Sequence, residues 1–112
     1  MRIGVIEAVW EGTPYWGRSG FELAKEIGFE SIDLARDPLD ATPQELSKVA
    51  GELAAVGLPA VSVVCVALGV ADYNPSVQRF HVDRAKRHVE LAADVGSENV
   101  LLVIGDYVWR GE

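Results

Sequence analysis

One junction in the chain reads Ile27-Gly28-Phe29-Glu30-Ser31-Ile32: an apolar residue, a glycine, three further residues and a second apolar residue. The same spacing recurs at Val56–Val61 and at Val95–Val100. Glycine just beyond a helix supplies a left-handed backbone at little cost. The residues that follow are aliphatic or β-branched runs, at Ser31–Leu34, Ala60–Ala67 and Asn99–Ile104. Each junction therefore predicts a helix that ends and a strand that begins.

Two of these helices have a recognisable start as well as an end. Thr42-Pro43-Gln44-Glu45 places a threonine at the N-cap, a proline at the first helical position and a glutamate three residues after the cap. This capping box predicts a helix that runs to about Val56. Asn74-Pro75-Ser76 opens a longer predicted helix that runs to about Val95.

The remaining elements complete an alternating order. In the last helix, residues recur at helical spacing and predict its buried stripe: Val77, Phe80, Arg84, Ala85, Val89, Ala92 and Val95. A first helix is predicted over roughly Gly20–Ile27 and a first strand over Arg2–Ala8. The predicted order is β-α-β-α-β-α-β.

The predicted strands at Val61–Val66 and Val100–Ile104 are almost wholly apolar, as strands covered on both faces are. Strands of this kind that alternate with helices form a parallel sheet with right-handed crossovers. Either a doubly wound open sheet or part of an eight-stranded barrel fits. Ser31, Asp33 and Ala35 share one face of the second strand, and barrel enzymes keep polar site residues at the carboxyl ends of their strands. The polar face therefore favours the barrel.

We predict an α/β fold, the parallel (βα)4 half of a TIM (β/α)8 barrel, as a single domain over residues 1–112. The strands are expected in the order 1-2-3-4, with helices on one face only. Glu7 interrupts the first strand near its end, in the position of a site residue. The alternative for Glu7 and Asp33 is that these acids end their strands or cap loops.

Composition narrows the partners and the compartment. A net charge of -7 argues against nucleic acid and anionic membranes, while 49% hydrophobic residues can bury a core. Cys65 is the single cysteine, so a reducing compartment is the simpler interpretation. Met1–Glu7 meets a charge too early for a secretory signal, and the apolar stretch Leu58–Ala71 is shorter than the about 20 residues that span a bilayer. We predict a cytoplasmic protein without nucleic-acid or membrane partners.

The loop after the first strand resembles two kinds of ligand-binding segment. Residues 12–19 (GTPYWGRS) almost match a phosphate-binding P-loop, but Arg18 replaces the required lysine and Pro14 removes an amide from the cradle. The aromatic residues offer a platform for the apolar face of a sugar or polyketide-like ring. The alternative is that Trp10 and Trp16 plug the barrel mouth or pack on a neighbouring loop.

The other candidate groups give weaker signals. His81 and His88 lie seven residues apart on the last helix and lack further ligands for a metal. We interpret the surrounding basic residues, Arg84 among them, as a solvated helix face. Cys65 has no neighbour that would lower its pKa, so it is expected to line a pocket rather than to act as a nucleophile. Asp106 follows the fourth strand, in the position of a site residue.

Three segments together resemble the xylose isomerase-like TIM-barrel superfamily: Ile3–Val5, Glu26–Leu34 and Ala92–Val100. The resemblance covers the whole chain but only the first half of a family member. It implies a divalent metal, Mn²⁺ or Mg²⁺, held by Glu, Asp, His and Glu on strands five to eight, beyond this segment. It also implies that this half supplies a substrate-pocket wall of Glu7, Trp10, Asp33, Arg36, Cys65 and Asp106, with no metal ligand and no assignable catalytic residue.

The implied function is that of one part of a metal-dependent sugar isomerase or epimerase, which transfers a proton next to a carbonyl of a sugar or polyol-derived substrate. The segment alone is expected to be inactive. The alternatives are a C-glycoside-cleaving subunit of the same superfamily, or a non-catalytic half-barrel that dimerises or binds a small molecule. An endonuclease, also found in the superfamily, is disfavoured by the acidic charge. Partners are expected to be a sugar-like substrate and either an oligomer or a complementary half-barrel.

Overall fold

The computed structural model describes residues 1–105, so Asp106 lies outside the described residues. Its strands are β1 (Gly4–Ile6), β2 (Ser31–Leu34), β3 (Ala60–Val66) and β4 (Val100–Val103), its α-helices are α1 (Arg18–Ile27), α2 (Pro43–Val56) and α3 (Pro75–Asp94), and 3-10 turns span Glu7–Trp10 and Leu68–Ala71. The alternating order is the predicted one. Over the described residues, no helix is both long and apolar enough to cross a membrane.

The predicted helix boundaries have the expected local causes. The Thr42 hydroxyl accepts a hydrogen bond from the Glu45 N–H, and the Glu45 carboxylate accepts one from the Thr42 N–H, so the capping box is complete. At the other end of α2, Gly57 adopts φ 74°, a left-handed conformation that few other residues tolerate. Asn74 caps α3 by accepting from the Ser76 N–H at 2.9 Å.

The four strands form one parallel sheet in the order β1-β2-β3-β4. This order confirms the half-barrel prediction, because a doubly wound sheet would place the first strand inside the sheet. The predicted first strand was too long, since the chain leaves β1 after Ile6 and Glu7 begins a 3-10 turn.

The two faces of the sheet have different environments. The helices cover one face, where the buried core contains Phe21, Ala24, Ile32, Leu34, Val49, Leu53, Val63, Leu91 and Ala92. Side chains alternate along a strand, so the other residues of each strand face away from the helices. This opposite side, called here the inner face, carries Ile6, Asp33, Ser62, Val64, Val66, Leu101 and Val103. The helices therefore lie on one face only, as predicted.

Candidate functional site

The carboxyl ends of β1, β2 and β3 border two adjoining cavities. The rim pocket, about 470 Å³, is lined by residues that include Glu11, Trp16, Arg36 and Glu45. The notch, about 240 Å³, is lined by inner-face residues such as Val64 and Val66 and by Arg84 and His88 of α3. Both cavities share Glu11, Ala35, Arg36 and Asp37 in their walls. The segment that follows β2 therefore separates one cavity from the other.

A buried ion pair fixes that segment. Glu7 is fully buried, and its carboxylate accepts hydrogen bonds from the Ala35 N–H at 3.1 Å and from Arg36 Nε at 2.7 Å. Arg36 Nη2 lies 2.5 Å from the same glutamate oxygen. A carboxylate can stay charged in a buried position when it is paired and hydrogen-bonded in this way. The 3-10 turn after β1 places Glu7 next to the end of β2. The ion pair thereby links the ends of the first two strands.

Trp16 extends this arrangement into the rim pocket. The Arg36 guanidinium carbon lies 4.5 Å from the centroid of the Trp16 ring, a cation–π contact. Trp16 stays 38% exposed, so part of the indole is open to solvent. Trp10 packs differently: its ring lies 6.0 Å from Tyr15 and contacts the core. Of the two tryptophans in the first loop, Trp10 and Trp16, it is thus Trp16 that fits an aromatic platform.

Arg84 links α3 to the ends of β2 and β3. Its Nε donates to Asp37 at 2.9 Å, and its Nη1 donates to the Val66 carbonyl at 2.5 Å. Partial burial by itself raises the pKa of Asp37. The Leu39 N–H and the Arg84 guanidinium together outweigh that effect, so the pKa of Asp37 lies below its usual value. The prediction of a solvated face is wrong for Arg84, because its side chain points into the strand ends. His88, on the same face of α3, is buried.

The comparison with solved structures agrees with this architecture. The chain is similar to a xylose isomerase-like TIM barrel/4-hydroxyphenylpyruvate dioxygenase fusion protein, with a TM-score of 0.68 and 17% sequence identity over 91% of this chain. The chain has the fold of half a TIM barrel. It spans 16% of that fusion protein's length. No protein-family model matches the sequence, and no curated protein matches it.

The predicted pocket wall is only partly assembled. The structure brings Glu7 and Arg36 together at the strand ends, and it places Asp33 on the inner face, where its carboxylate accepts from the Ser62 hydroxyl at 2.6 Å. Trp10 packs beside the first loop instead of lining either cavity. Cys65 is fully buried on the face that the helices cover. Asp106 lies outside the described residues.

Three chemistries considered in the sequence analysis, a P-loop, a cysteine nucleophile and a metal site, have no built site among residues 1–105. Arg18, which would replace the P-loop lysine, instead pairs with Glu22 of its own helix at 2.8 Å. Burial raises the pKa of the Cys65 thiol, which makes it a poor nucleophile. Within residues 1–105, no three histidine, cysteine or acidic side chains come together as a metal site requires. These residues do not fit a divalent metal.

Proposed function

We propose that this chain forms the substrate-binding wall of a xylose isomerase-like barrel enzyme that acts on a neutral sugar or polyol-derived carbonyl compound. The observation that carries the proposal is the charge pairing at the strand ends. Arg36 is paired with Glu7 and Arg84 with Asp37, so the arginines offer N–H donors without a net positive charge. A ligand hydroxyl can donate to the carboxylate and accept from the arginine of such a pair, whereas an anionic group can only accept. Paired charges therefore suit a neutral, hydroxyl-bearing ligand better than an anionic one.

The aromatic side chain supports the same ligand class. Trp16 is partly exposed in a pocket of about 470 Å³, a size typical of small-molecule sites. The C–H face of a sugar ring can pack on an indole while its hydroxyls reach Arg36 or the nearby carboxylates. In this proposal the chain binds and orients the substrate. The metal and the base that moves the proton next to the carbonyl belong to strands beyond residues 1–105.

Removal of the Trp16 ring is expected to weaken binding of neutral ketoses and inositols by about threefold to tenfold, the value of one aromatic contact. Saturation-transfer NMR and calorimetry with D-fructose and myo-inositol would measure the loss in Trp16→Ala. Phe80→Ala removes an aromatic ring of α3 that lies outside both cavities and serves as the control. Binding of sugar phosphates without binding of the neutral compounds would contradict the proposal.

The inner face supports a further part of the proposal, namely that additional strands complete the sheet and cover this face. Ile6, Val66, Leu101 and Val103 are between 37% and 53% exposed on this face. The strands β1 and β4 are the two edges of the sheet, with unpaired backbone groups, and β1 and β4 hold neither proline nor lysine to discourage pairing. We propose that four further strands cover the inner face, whether they belong to the same polypeptide, to a partner or to a second copy.

The 112-residue chain alone is expected not to persist as a folded 12.1 kDa monomer. Sedimentation equilibrium at low micromolar concentration should detect self-association of the folded chain. Leu101→Lys should suppress the association, because it places a charge on the inner face. Ile27→Lys is the control, since Ile27 is 59% exposed at the end of α1. A cooperatively melting monomer would contradict the half-barrel assembly.

A further inference from the structure

The notch contains a histidine, His88, that the proposed function does not use. Leu34, the last residue of β2, pairs with Val63, so β3 continues three residues farther, to Val66. The shorter β2 leaves an opening between the turn after β1 and the end of β3. Through this opening His88 and Arg84 of α3 and the inner-face residue Val64 line one cavity of about 240 Å³.

His88 is the buried acceptor in this wall. Its side chain is 1% exposed, and its Nδ1 lies 2.9 Å from the Arg84 carbonyl oxygen. A carbonyl oxygen only accepts, so Nδ1 carries the proton and Nε2 of the neutral ring is an acceptor. Burial lowers the pKa of His88, which favours that neutral ring. Among residues 1–105, Nε2 takes part in no hydrogen bond. Nε2 is not one of the enclosed side-chain atoms that lack a partner, so it stays open to the notch and can accept from a donor there.

We propose that the notch is a subsite for a hydroxyl-bearing arm of the polyol substrate, whose O–H donates to His88 Nε2. This inference rests on the proposed function and assigns its ligand a second point of attachment. The arginines beside the notch, Arg36 and Arg84, are paired with Glu7 and Asp37, and Glu11 adds a negative charge. An anionic arm would therefore meet no unpaired cation.

The size of the notch fits such an arm. Its volume of about 240 Å³ is several times the roughly 30 Å³ that one water molecule occupies in the liquid. Ile6, Val64 and Val66 form its apolar side, which suits the carbon chain of a hydroxymethyl or a short polyol segment. The hydroxyl at the end of that chain then has His88 as its acceptor. A neutral acceptor among paired charges suits an uncharged donor.

The test uses ¹⁵N-labelled full chain and follows the imidazole nitrogens by NMR while xylitol or D-fructose is added. The expected result is a shift of the His88 Nε2 resonance that saturates with the ligand, with His81 unchanged as the internal reference. His88→Phe should lower affinity for xylitol by about tenfold, the value of one hydrogen bond. His88→Gln, whose amide oxygen accepts, should restore part of the loss, and His81→Phe should have no effect.

Three results would overturn the subsite, and they separate it from the proposed function. Trp16-dependent binding of xylitol with an unmoved His88 resonance would leave the proposed function standing and remove this inference. Failure of every neutral polyol to bind would remove both. A shift of His88 produced by Zn²⁺ alone, with none from the polyols, would identify a metal ligand in place of a hydroxyl acceptor. The NMR titration is made on the unmodified sequence, so it holds even where a variant fails to fold.

Discussion

Replacing Gly20 by alanine is expected to destabilise the fold by about 3 kcal/mol, as overpacking against rigid groups does. An added Cβ would lie 2.2 Å from the Tyr15 carbonyl oxygen and 2.7 Å from Trp10 Cδ1. The first contact is with backbone, which a side-chain rotation cannot relieve. The first loop and α1 would have to separate, and the arrangement that carries Trp16 would be lost with them. Urea denaturation monitored by circular dichroism would measure the change.

Gly51→Ala is the matched control, because Gly51 also lies inside a helix. A Cβ at Gly51 meets no atom within 4 Å, and α2 continues on both sides of it. Alanine should therefore stabilise the protein by about 0.5–1 kcal/mol through helix propensity alone. The two substitutions are expected to change the free energy of unfolding in opposite directions. Equal effects would mean that the close approach of the first loop to α1 is not present in solution.

The order of the elements could be predicted because each boundary is encoded locally. The capping box at Thr42 and the left-handed Gly57 both lie within a few residues of the helix ends that they determine. The third junction differs slightly, since α3 ends at Asp94 with Val95 as its cap and the left-handed residue is Gly96. Local signals of this kind do not depend on tertiary contacts, which explains why the strand–helix repeat was visible in the sequence.

The extent of the first strand could not be predicted in the same way. Apolar residues continue on both sides of Glu7, so the pattern favoured a strand that runs to Ala8. The carboxylate instead binds Ala35 and Arg36, which lie 28 and 29 residues away. Ala35 and Arg36 come close to Glu7 only when β1 and β2 are paired. The sequence indicated Glu7 as a site residue, but it could not indicate that the residue is buried in a pair.

The face of α3 that is buried was predicted wrongly in part. Phe80 and Val89 were expected in the buried stripe, but they are 55% and 59% exposed. Arg84 and Ala92 of the predicted stripe do turn inward, and so do His88 and Leu91, which the stripe did not include. They also recur at helical spacing, so the periodicity alone allowed either face. The apolar character of Phe80 favoured the wrong one, because burial of Arg84 depends on Asp37 after β2 and on the Val66 carbonyl of β3.

A similar ambiguity affected Cys65. The residues of β3 are almost all apolar, so the sequence does not indicate which of them face the helices. The Ser62 hydroxyl that binds Asp33 identifies the inner face, and Cys65 is three residues farther along the strand, on the other face. Only the register between β2 and β3 determines this. Polar residues on a neighbouring strand were therefore a better guide to the site than position along β3.

Replacing Glu7 by glutamine is expected to cost about 3–5 kcal/mol of stability, because it leaves the Arg36 guanidinium without its buried counter-charge. Arg36 is only 16% exposed, so water compensates only in part for the lost carboxylate. The control is Glu22→Gln, which breaks an i,i+4 pair with Arg18 whose two side chains are each 55% exposed. Its loss should be much smaller than that of Glu7→Gln, as for surface ion pairs in general. Urea denaturation of both variants at the same ionic strength makes the comparison.

A double-mutant cycle separates the pair from general damage to the fold. Arg36→Met keeps an unbranched side chain beside Trp16 but removes the charge, so alone it strands Glu7 in a buried position. The double variant removes both charges, so no unpaired charge stays buried. Its loss of stability should be smaller than the sum of the two single losses by about 1–3 kcal/mol. Additive losses would contradict the pairing. Coupling of this size would instead mean that the buried pair fixes the segment after β2. The pair then also fixes the Arg36 side chain, which lines both the rim pocket and the notch.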